Sequence, residues 1–347
     1  MSDANLHIIS RLSHIADAYK SKGVVYKYKA YRTAISTIKA LQKPILSVSD
    51  IKNLPGIGKA MEEKIGEILA TGGLEQEQQV LADPITRATQ LFTSIHGIGP
   101  VMAAKLVHEQ GLRTLDDLKT VQLPAQVQLG IKYHEDSQSR IPYNEVRRHM
   151  LQVEAICTLA VDPKMVVTVC GSHRRGNATS GDVDILLSQR DTRASVKPDK
   201  MYMKLVVEAL TKVGYIQDAL VSGESKFMGY AKLIRVAPTP NEAKYPIADS
   251  AFTTIRRLDI RFISYDQYSS AMLYFTGSDA HNIKMRQQAI SMGYVLCEYG
   301  LYKAVGAIGD QKMGAGAVKG DMIPTFSEEE IFQILKMPYL TPEQRNL

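Results

Sequence analysis

Gly171-Ser-His-Arg-Arg-Gly176, followed by Gly181-Asp-Val-Asp-Ile185, is the stretch on which the reading of this 347-residue chain turns. On a strand the side chains alternate, so Asp182 and Asp184 share one face while Val183 and Ile185 turn toward a core. Two carboxylates ~7 Å apart along one strand repel unless a cation lies between them. Hard oxygen donors of this kind suit Mg²⁺, which keeps several waters and accepts phosphates as further ligands. A second strand, Arg257-Leu-Asp-Ile-Arg261, places Asp259 on a face with two arginines. Three carboxylates converging from neighbouring strands would hold two metals, one to activate a hydroxyl and one to carry a triphosphate. Asp-x-Asp alone is common on exposed strands, and Arg257 and Arg261 also serve to neutralise Asp259. The Gly171-Ser172 turn and the Arg174-Arg175 forks, which suit phosphate oxygens, favour the catalytic reading.

Outward from this stretch the texture changes. Met165–Cys170 and Asp182–Leu187 read as strands, 200–213 as a helix and 257–263 as another strand, with mixed elements onward to the C-terminus. Upstream, Ile8, Leu12, Ile15 and Tyr19 fall at helical spacing, as do Tyr31, Ile35 and Ile38, and helical patterns run to about residue 120. The sequence predicts an α+β multidomain chain, all-α first and mixed α/β afterwards. Its length exceeds one average core, so two or three domains are expected. Seams are read at Asp83-Pro84 and across 133–142, and a loop at Val236-Ala-Pro-Thr-Pro-Asn-Glu242.

The excess positive charge is local. Residues 1–64 hold 11 Lys and Arg against 5 Asp and Glu, whereas the remainder is balanced at 31 and 31. A polyanion bound there and a plain solvated surface explain this equally. The helical part also contains an internal repeat. Leu54-Pro-Gly-Ile-Gly-Lys-Ala-Met61 matches Ile95-His-Gly-Ile-Gly-Pro-Val-Met102, with Lys64 and Ile65 answering Lys105 and Leu106. Each copy offers a tight turn, at Gly56 and Gly58 or at Gly97 and Gly99, and then a helix start whose N–H groups suit a phosphate. This is the mechanics of a helix-hairpin-helix, which grips one phosphate backbone without reading bases. Backbone carbonyls of such a hairpin also suit a monovalent cation, Na⁺ or K⁺. The candidates are Lys52, Leu54 and Ile57 in the first copy and Thr93, Ile95 and Ile98 in the second.

Downstream, Tyr274-Phe-Thr-Gly-Ser-Asp-Ala-His-Asn-Ile-Lys-Met-Arg286 reads as a helix starting at Gly277-Ser278, with Ser278 as its cap. Asp279, Asn282 and Arg286 are spaced i, i+3, i+7 and line one face, able to contact a base and a minor groove or simply to meet solvent. Tyr274 and Phe275 suit the sugar of a nucleotide or a core.

Composition sets the outer limits. Hydrophobic residues make up 45% and charged residues 22%, the balance of a folded globular chain and not of a disordered one. No apolar run approaches the ~18 residues of a membrane span, and Met1-Ser-Asp-Ala-Asn5 lacks the basic flank and apolar stretch of a signal peptide. Cys157, Cys170 and Cys297, odd in number and far apart, argue against a disulfide framework or a zinc knuckle. His7, His14, His96, His108, His134 and His149 show no ligand spacing. A reduced, intracellular protein with no membrane partner is expected.

Taken in order, Tyr28-Lys-Ala-Tyr-Arg32, both Gly-Ile-Gly hairpins, Gly171-Ser-x-Arg-Arg-Gly176, Gly181-Asp-x-Asp184, Lys226-Phe-Met-Gly229, Arg257-x-Asp-Ile-Arg261 and Tyr274-Phe-Thr-Gly-Ser-Asp279 resemble the X family of DNA polymerases. The resemblance covers nearly the whole chain. It implies an all-α helix-hairpin-helix lyase domain (1–82) and a helical DNA-binding subdomain (83–141). A mixed α/β nucleotidyltransferase palm (142–263) and a small α+β subdomain that checks the nascent base pair (264–347) would follow. By motif match, Asp182 and Asp184 would bind two Mg²⁺ ions, with Mn²⁺ as the other choice, and Asp259 the catalytic one, with Arg257 beside them. Arg140, Ser172, Arg175 and the Gly181 backbone would hold the incoming triphosphate. Tyr274, Phe275, Gly277, Asp279 and Asn282 would contact the nucleotide and Arg286 the template strand, while Arg261 and Glu298 exchange partners on closure.

The match also assigns Lys64 as the Schiff-base nucleophile that removes a 5′-deoxyribose phosphate, with Lys27, Tyr31 and Lys59 beside it. Lys105, at the matching place in the second hairpin, carries the plainer reading that a lysine there faces phosphate. Gapped or nicked duplex DNA and deoxynucleoside triphosphates are the implied substrates. Other repair proteins are the implied partners, a monomer the implied state and the nucleus the implied compartment. Several residues depart from the family pattern. Ala60 and Gln76 stand where relatives carry phosphate-contacting lysines, which weakens the 5′-phosphate pocket or leaves it to Lys52 and Lys59. Tyr26 replaces a stacking histidine, and His281 stands where close relatives have phenylalanine. The 230–256 segment is longer by roughly ten residues than in the shortest relatives. That extra length is the only candidate for the template-blocking loop of a terminal transferase, the second enzyme reading. A DNA-binding scaffold with inert aspartates is the third.

Overall fold

The computed structural model describes residues 3–41, 43–193, 201–237, 239–305 and 318–346. The chain divides into two compact units, Met1–His134 and Glu135–Leu347.

The first unit is helical. α1 (Asp3–Ser21) opens on an acidic residue and closes on Lys20, matching its dipole. Its Ile8, Leu12 and Ile15 interleave with Tyr31, Ile35 and Ile38 of α2 (Val25–Ala40) and with Met61, Ile65 and Ile68 of α3 (Lys59–Thr71) in one buried core. α4 (Glu75–Ala82) runs almost directly into α5 (Pro84–Thr93). Asp83, read from sequence as a seam, is the N-cap of α5: its carboxylate accepts the Ile85 and Thr86 N–H groups at 3.2 and 3.3 Å. Bonds from Thr86 and Lys22 hold that carboxyl far below the usual range. α6 (Pro100–His108) shares a second core with α5 through Phe92, Ile95, Ile98, Ala103 and Leu106.

The two repeats fold alike. Gly56 and Gly97 take left-handed φ of 76° and 91°, a conformation that favours glycine. Ile57 donates its N–H to the Leu54 carbonyl and Ile98 to the Ile95 carbonyl, both at 3.1 Å. Gly58 and Gly99 then stand at the N-caps of α3 and α6; α6 opens on Pro100, which has no N–H, so its first donor is Val101.

The second unit is built on a mixed five-stranded sheet. Its strands are β1 (Met165–Val169), β2 (Val183–Gln189), β3 (Ile216–Ser222), β4 (Lys226–Ala231) and β5 (Arg256–Phe262), in the order β1-β2-β5-β4-β3. Only β2 and β5 run parallel. One face packs Val183, Ile185, Leu187, Leu258, Ile260 and Phe262 against α7 (Tyr143–Ala160) and α8 (Met201–Lys212). On the other face α9 (Tyr268–Thr276) covers Leu186 and Cys170. Beyond it α10 (Asp279–Ser291), the antiparallel sheet β6 (Tyr294–Cys297), β7 (Gly300–Val305) and β8 (Val318–Ile323), and α11 (Glu328–Ile334) enclose a smaller core around Leu273, Met285, Leu301 and Phe332.

The 236–256 segment is not an open loop. Thr239 and Glu242 form a capping box around a helical turn, Pro240–Ala243, which corrects the loop read at Val236–Glu242; Pro238 and Lys200 lie outside the described residues. Glu242 pairs with buried Arg148 of α7 at 3.5 Å, Arg147 lies over the Tyr245 ring at 5.5 Å, and Asn144 donates to the Pro246 carbonyl at 3.2 Å. Ala251, with Ile247 and Phe252, joins the core under α7. The segment is a strap on the helix-covered side of the sheet. Glu242→Ala, which strands the Arg148 charge, should lower the unfolding free energy of this unit by roughly 3–5 kcal/mol in a denaturant titration.

Candidate active site

Strand register brings the three carboxylates together. In the parallel β2–β5 pair Asp184 stands directly beside Asp259, and Asp182 lies two residues earlier at the entry to β2. Alternation sends Leu258 and Ile260 into the core and leaves Arg257, Asp259 and Arg261 on the opposite face. One oxygen from each of Asp182, Asp184 and Asp259 lies within 4.8 Å of the other two. Arg257 Nη2 donates to Asp182 Oδ2 at 2.9 Å and to Asp259 Oδ2 at 3.1 Å, so its neutralising role is real.

Arg257, together with the charges of Arg175 and Lys226, only partly offsets the three carboxylates. Burial, reinforced by Asp182 and Asp259, pushes the Asp184 carboxyl up to about 8. Burial also raises Asp259, against the pull of Arg257. Asp259 Oδ1 is buried without a hydrogen-bond partner. Gly171, at a left-handed φ of 56°, carries the backbone so close over Asp184 that a Cβ there would collide with its carboxylate. An all-oxygen donor set, an orphaned lone pair and uncompensated negative charge fit a divalent cation held by Asp182, Asp184 and Asp259.

A second group of predicted residues gathers beside this cluster. Ile141 pairs with Ser180, and Arg140 donates from Nε and Nη2 to the Thr179 hydroxyl and carbonyl at 3.2 and 2.8 Å. A Cβ on Gly181 would sit 3.2 Å from Arg140 Nη1. Ser172 Oγ donates to Ser180 Oγ at 2.9 Å. Arg175 Nη1 donates to the Thr276 carbonyl at 2.5 Å and its Nε to Asn346 Oδ1 at 2.8 Å. Burial lowers the Arg175 pKa, countered by the charges of Asp184 and Asp279. Arg174 departs from the phosphate-binding fork read in the sequence. Both of its terminal nitrogens are taken by Glu328, at 3.0 and 2.6 Å, because Glu328 sits buried between Arg174 and Arg345 and needs both cations.

In the C-terminal part Ser278 caps α10 as the sequence implied, accepting the His281 N–H at 3.4 Å. The polar face is partly engaged within the protein: Asn282 Nδ2 donates to the Tyr274 carbonyl at 2.8 Å, and Arg286 lies 4.9 Å from the Tyr274 ring centre. Asp279 is exposed, while Tyr274 and Phe275 are half-buried and edge-on to one another at 5.0 Å. Arg261 pairs with Glu298 at 3.5 Å.

In the first unit Lys64 lies on α3, one turn beyond the Gly56–Gly58 turn, with Nζ 3.4 Å from the Ala60 carbonyl. Lys59 opens the same helix and is exposed. Lys27 and Tyr31 join a separate chain of bonds. Lys27 Nζ donates to Tyr19 Oη at 3.4 Å, Gln76 Nε2 donates to that same oxygen at 2.9 Å, and Tyr31 Oη donates to Gln76 Oε1 at 3.1 Å. Burial, with Tyr19 adding to it, raises the Tyr31 phenol well above its usual range. Gln76, noted in the sequence only as a missing lysine, is thus the bridge between two tyrosines.

Sequence reading missed Thr276, Glu328 and Asn346 as site neighbours because each stands more than a hundred positions from the motif it supports, and Tyr19, only eight residues before Lys27, because helical spacing marks its ring for the core and not its hydroxyl. It also passed over Arg256, whose guanidinium binds Glu145 at 2.6 and 3.1 Å and the Ser139 hydroxyl at 2.6 Å, next to Arg140.

Family models match the chain in four consecutive parts. A helix-hairpin-helix domain matches residues 3–74, the fingers domain of DNA polymerase lambda 90–138, the DNA polymerase beta palm 140–265 and the DNA polymerase beta thumb 271–346. The five-stranded sheet with its carboxylate cluster falls within the palm match, and the two helical hairpins fall within the matches that precede it. The chain belongs to the X family of DNA polymerases. It is 32% identical over 348 residues to DNA polymerase lambda of Rattus norvegicus, covering 99% of this chain and 56% of that protein. DNA polymerase lambda of Arabidopsis thaliana is 31% identical over 352 residues, with 99% and 63% covered. DNA nucleotidylexotransferase of Ambystoma mexicanum is 25% identical over 355 residues, with 96% and 66% covered. The chain therefore spans less than two thirds of the length of each of these relatives.

The carboxylate cluster makes a signed prediction. The unfolded chain releases the Asp184 proton near 3.8 and the folded chain only near 8, so without divalent cation the fold loses stability as pH rises through that window. Denaturation midpoints in chelator should fall more steeply between about pH 5 and pH 8 for the unaltered chain than for Asp184→Asn. Mg²⁺ should restore more stability at the upper end of that range to the unaltered chain than to the variant. Parallel pH profiles for the two proteins would count against the cluster.

Proposed function

We propose that the chain is a DNA-directed DNA polymerase that fills short gaps in duplex DNA during base excision repair, with an associated 5′-deoxyribose phosphate lyase. The carrying observation is the parallel β2–β5 register that sets Asp184 against Asp259, with Asp182 and Arg257 closing the cluster. Bound to the three aspartates, two Mg²⁺ ions, or Mn²⁺ in their place, supply the charge that activates a primer 3′-hydroxyl and neutralises a triphosphate. Asp259, the carboxylate contributed by β5, accepts the hydroxyl proton. Arg140, Ser172, Arg175 and the Gly181 backbone bind the triphosphate oxygens of the incoming nucleotide. Tyr274, Phe275, Gly277, Asp279 and Asn282 hold its sugar and base, and Arg286 meets the template strand. The 3′-hydroxyl attacks the α-phosphate, a new phosphodiester bond forms and pyrophosphate leaves.

The matching DNA polymerase lambda sequences support this reading, and the contacts that tie 236–256 to α7 favour it over a template-blocking loop. The division into 1–82, 83–141, 142–263 and 264–347 accompanies the proposal, as do a monomeric state, a nuclear location and contact with other repair proteins. Gly56, Gly58, Gly97 and Gly99 free the hairpin backbones to approach DNA phosphates. The hairpin carbonyls of Leu54 and Ile95 each accept one N–H and keep a second lone pair for Na⁺ or K⁺, beside those of Lys52, Ile57, Thr93 and Ile98. For the lyase, Lys64 attacks the sugar aldehyde, with Lys27, Tyr31 and Lys59 on the adjoining surface.

Extension of a primer across a single-nucleotide gap should far exceed extension of the same strand alone, and Asp259→Ala should lower it by at least about a hundredfold while sparing DNA binding. Equal extension of the lone strand would turn the reading to a terminal transferase, and undiminished synthesis by the variant would leave a binding scaffold. Borohydride should trap the unaltered chain, but not Lys64→Ala, on an incised abasic substrate. Equal trapping would remove Lys64 from its role.

A further inference from the structure

Consecutive residues of Gly171–Gly176, a short helix (Gly171–Arg174) and the loop that follows it, meet consecutive residues near the other end of this unit. Arg174 and Arg345 share Glu328, which Arg345 Nη1 reaches at 2.7 Å, and Arg345 is fully buried. That triad fixes the 345–346 segment against the loop. Asn346, on the exposed side, makes a different contact. Its Oδ1 accepts from Arg175 Nε at 2.8 Å, while its Nδ2 donates to the carbonyl of Arg175 at 3.0 Å and to that of Glu343 at 3.2 Å. One amide therefore ties the head of Arg175 to the backbone of the same residue. The Thr276 carbonyl takes a second donor, from Nη1, and Gly277 leaves the space beside it, since a Cβ there would lie 3.2 Å from Nη1.

A guanidinium carries five N–H donors in one rigid plane. With Nε and one Nη1 hydrogen engaged, the plane of Arg175 is set, and Nη2 with the second Nη1 hydrogen remains for a ligand. Phosphate oxygens take such a fork two at a time.

We infer that Asn346 is a positioning residue for Arg175, orienting its guanidinium for bidentate contact with the phosphate oxygens of an incoming nucleoside triphosphate. The inference rests on the polymerase reading above. Without the amide, Arg175 keeps its charge but must give up rotamer freedom each time a nucleotide binds, so affinity falls while chemistry at the aspartates is untouched.

Steady-state extension across a one-nucleotide gap, with Asn346→Ala, Arg175→Ala and the double variant, tests this. Asn346→Ala should raise KM for the triphosphate by about two- to tenfold and change kcat by less than about twofold. In the Arg175→Ala background the same substitution should raise KM no further. Thermal unfolding of Asn346→Ala should match the unaltered chain, because the side chain is exposed. An unchanged KM, a loss confined to kcat, or an equal rise in both backgrounds would overturn the positioning role while leaving the polymerase reading intact. Failure of the unaltered chain to extend any gapped primer would overturn that reading, and the role of Asn346 with it.

Discussion

Mutual repulsion among Asp182, Asp184 and Asp259 is the constraint around which the second unit is organised. Carboxylates held within 4.8 Å of one another beside a hydrophobic sheet are unstable in isolation, and the protein concentrates them there through the parallel pairing of β2 with β5. Arg257 offsets part of that charge, and Gly171 lets the backbone close over Asp184 without a side chain in the way. Burial first, and then the charge left on Asp182 and Asp259, raises the affinity of Asp184 for a proton. A site in this condition favours binding positive charge, which is the property a phosphoryl-transfer enzyme needs where phosphate charge accumulates.

Holding such a cluster in place requires rigid surroundings, and the unit supplies them with buried ion networks. Arg256 is locked by Glu145 and Ser139, which steadies the segment that carries Arg140. Arg174, Glu328 and Arg345 join the loop over Asp184 to the C-terminal part of the unit. Buried pairs of this kind contribute little net stability compared with apolar packing, but losing one partner is costly, so they confer specificity of arrangement. Alternation along β5 lets neighbouring residues serve both ends: Arg256 braces the scaffold on one side of the sheet and Arg257 meets the carboxylates on the other.

The first unit follows a simpler logic. Two copies of one turn each lead into a helix start, and the excess positive charge of the chain falls within residues 1–64, which include the first of them. The lysine that follows each turn is legible from the repeat, but its chemistry is not. The bridge from Tyr31 through Gln76 to Tyr19 depends on α4 folding back beside α1 and α2, and no local spacing announces it.

What could be read without coordinates was whatever the backbone period enforces over a few residues. The pairing of Asp182 with Asp184, the separation of Val183 and Ile185 into a core, the twin Gly-x-Gly turns and the Ser278 cap all follow from i+2, i+3 or i+4 geometry. Long-range partnership was closed to that reading. Arg174 and Arg175 look equivalent in sequence, yet one is spent inside a buried triad and the other is left with donors to spare. The 236–256 residues resembled a free loop until Glu242 met Arg148 across 94 positions of chain. Residue chemistry and backbone period were enough to say which residues carry charge and which face of a strand or helix they occupy. Which charges meet was set only on folding, because that depends on strand order and register and on helix docking, which bring together residues from 75 to more than 150 positions apart.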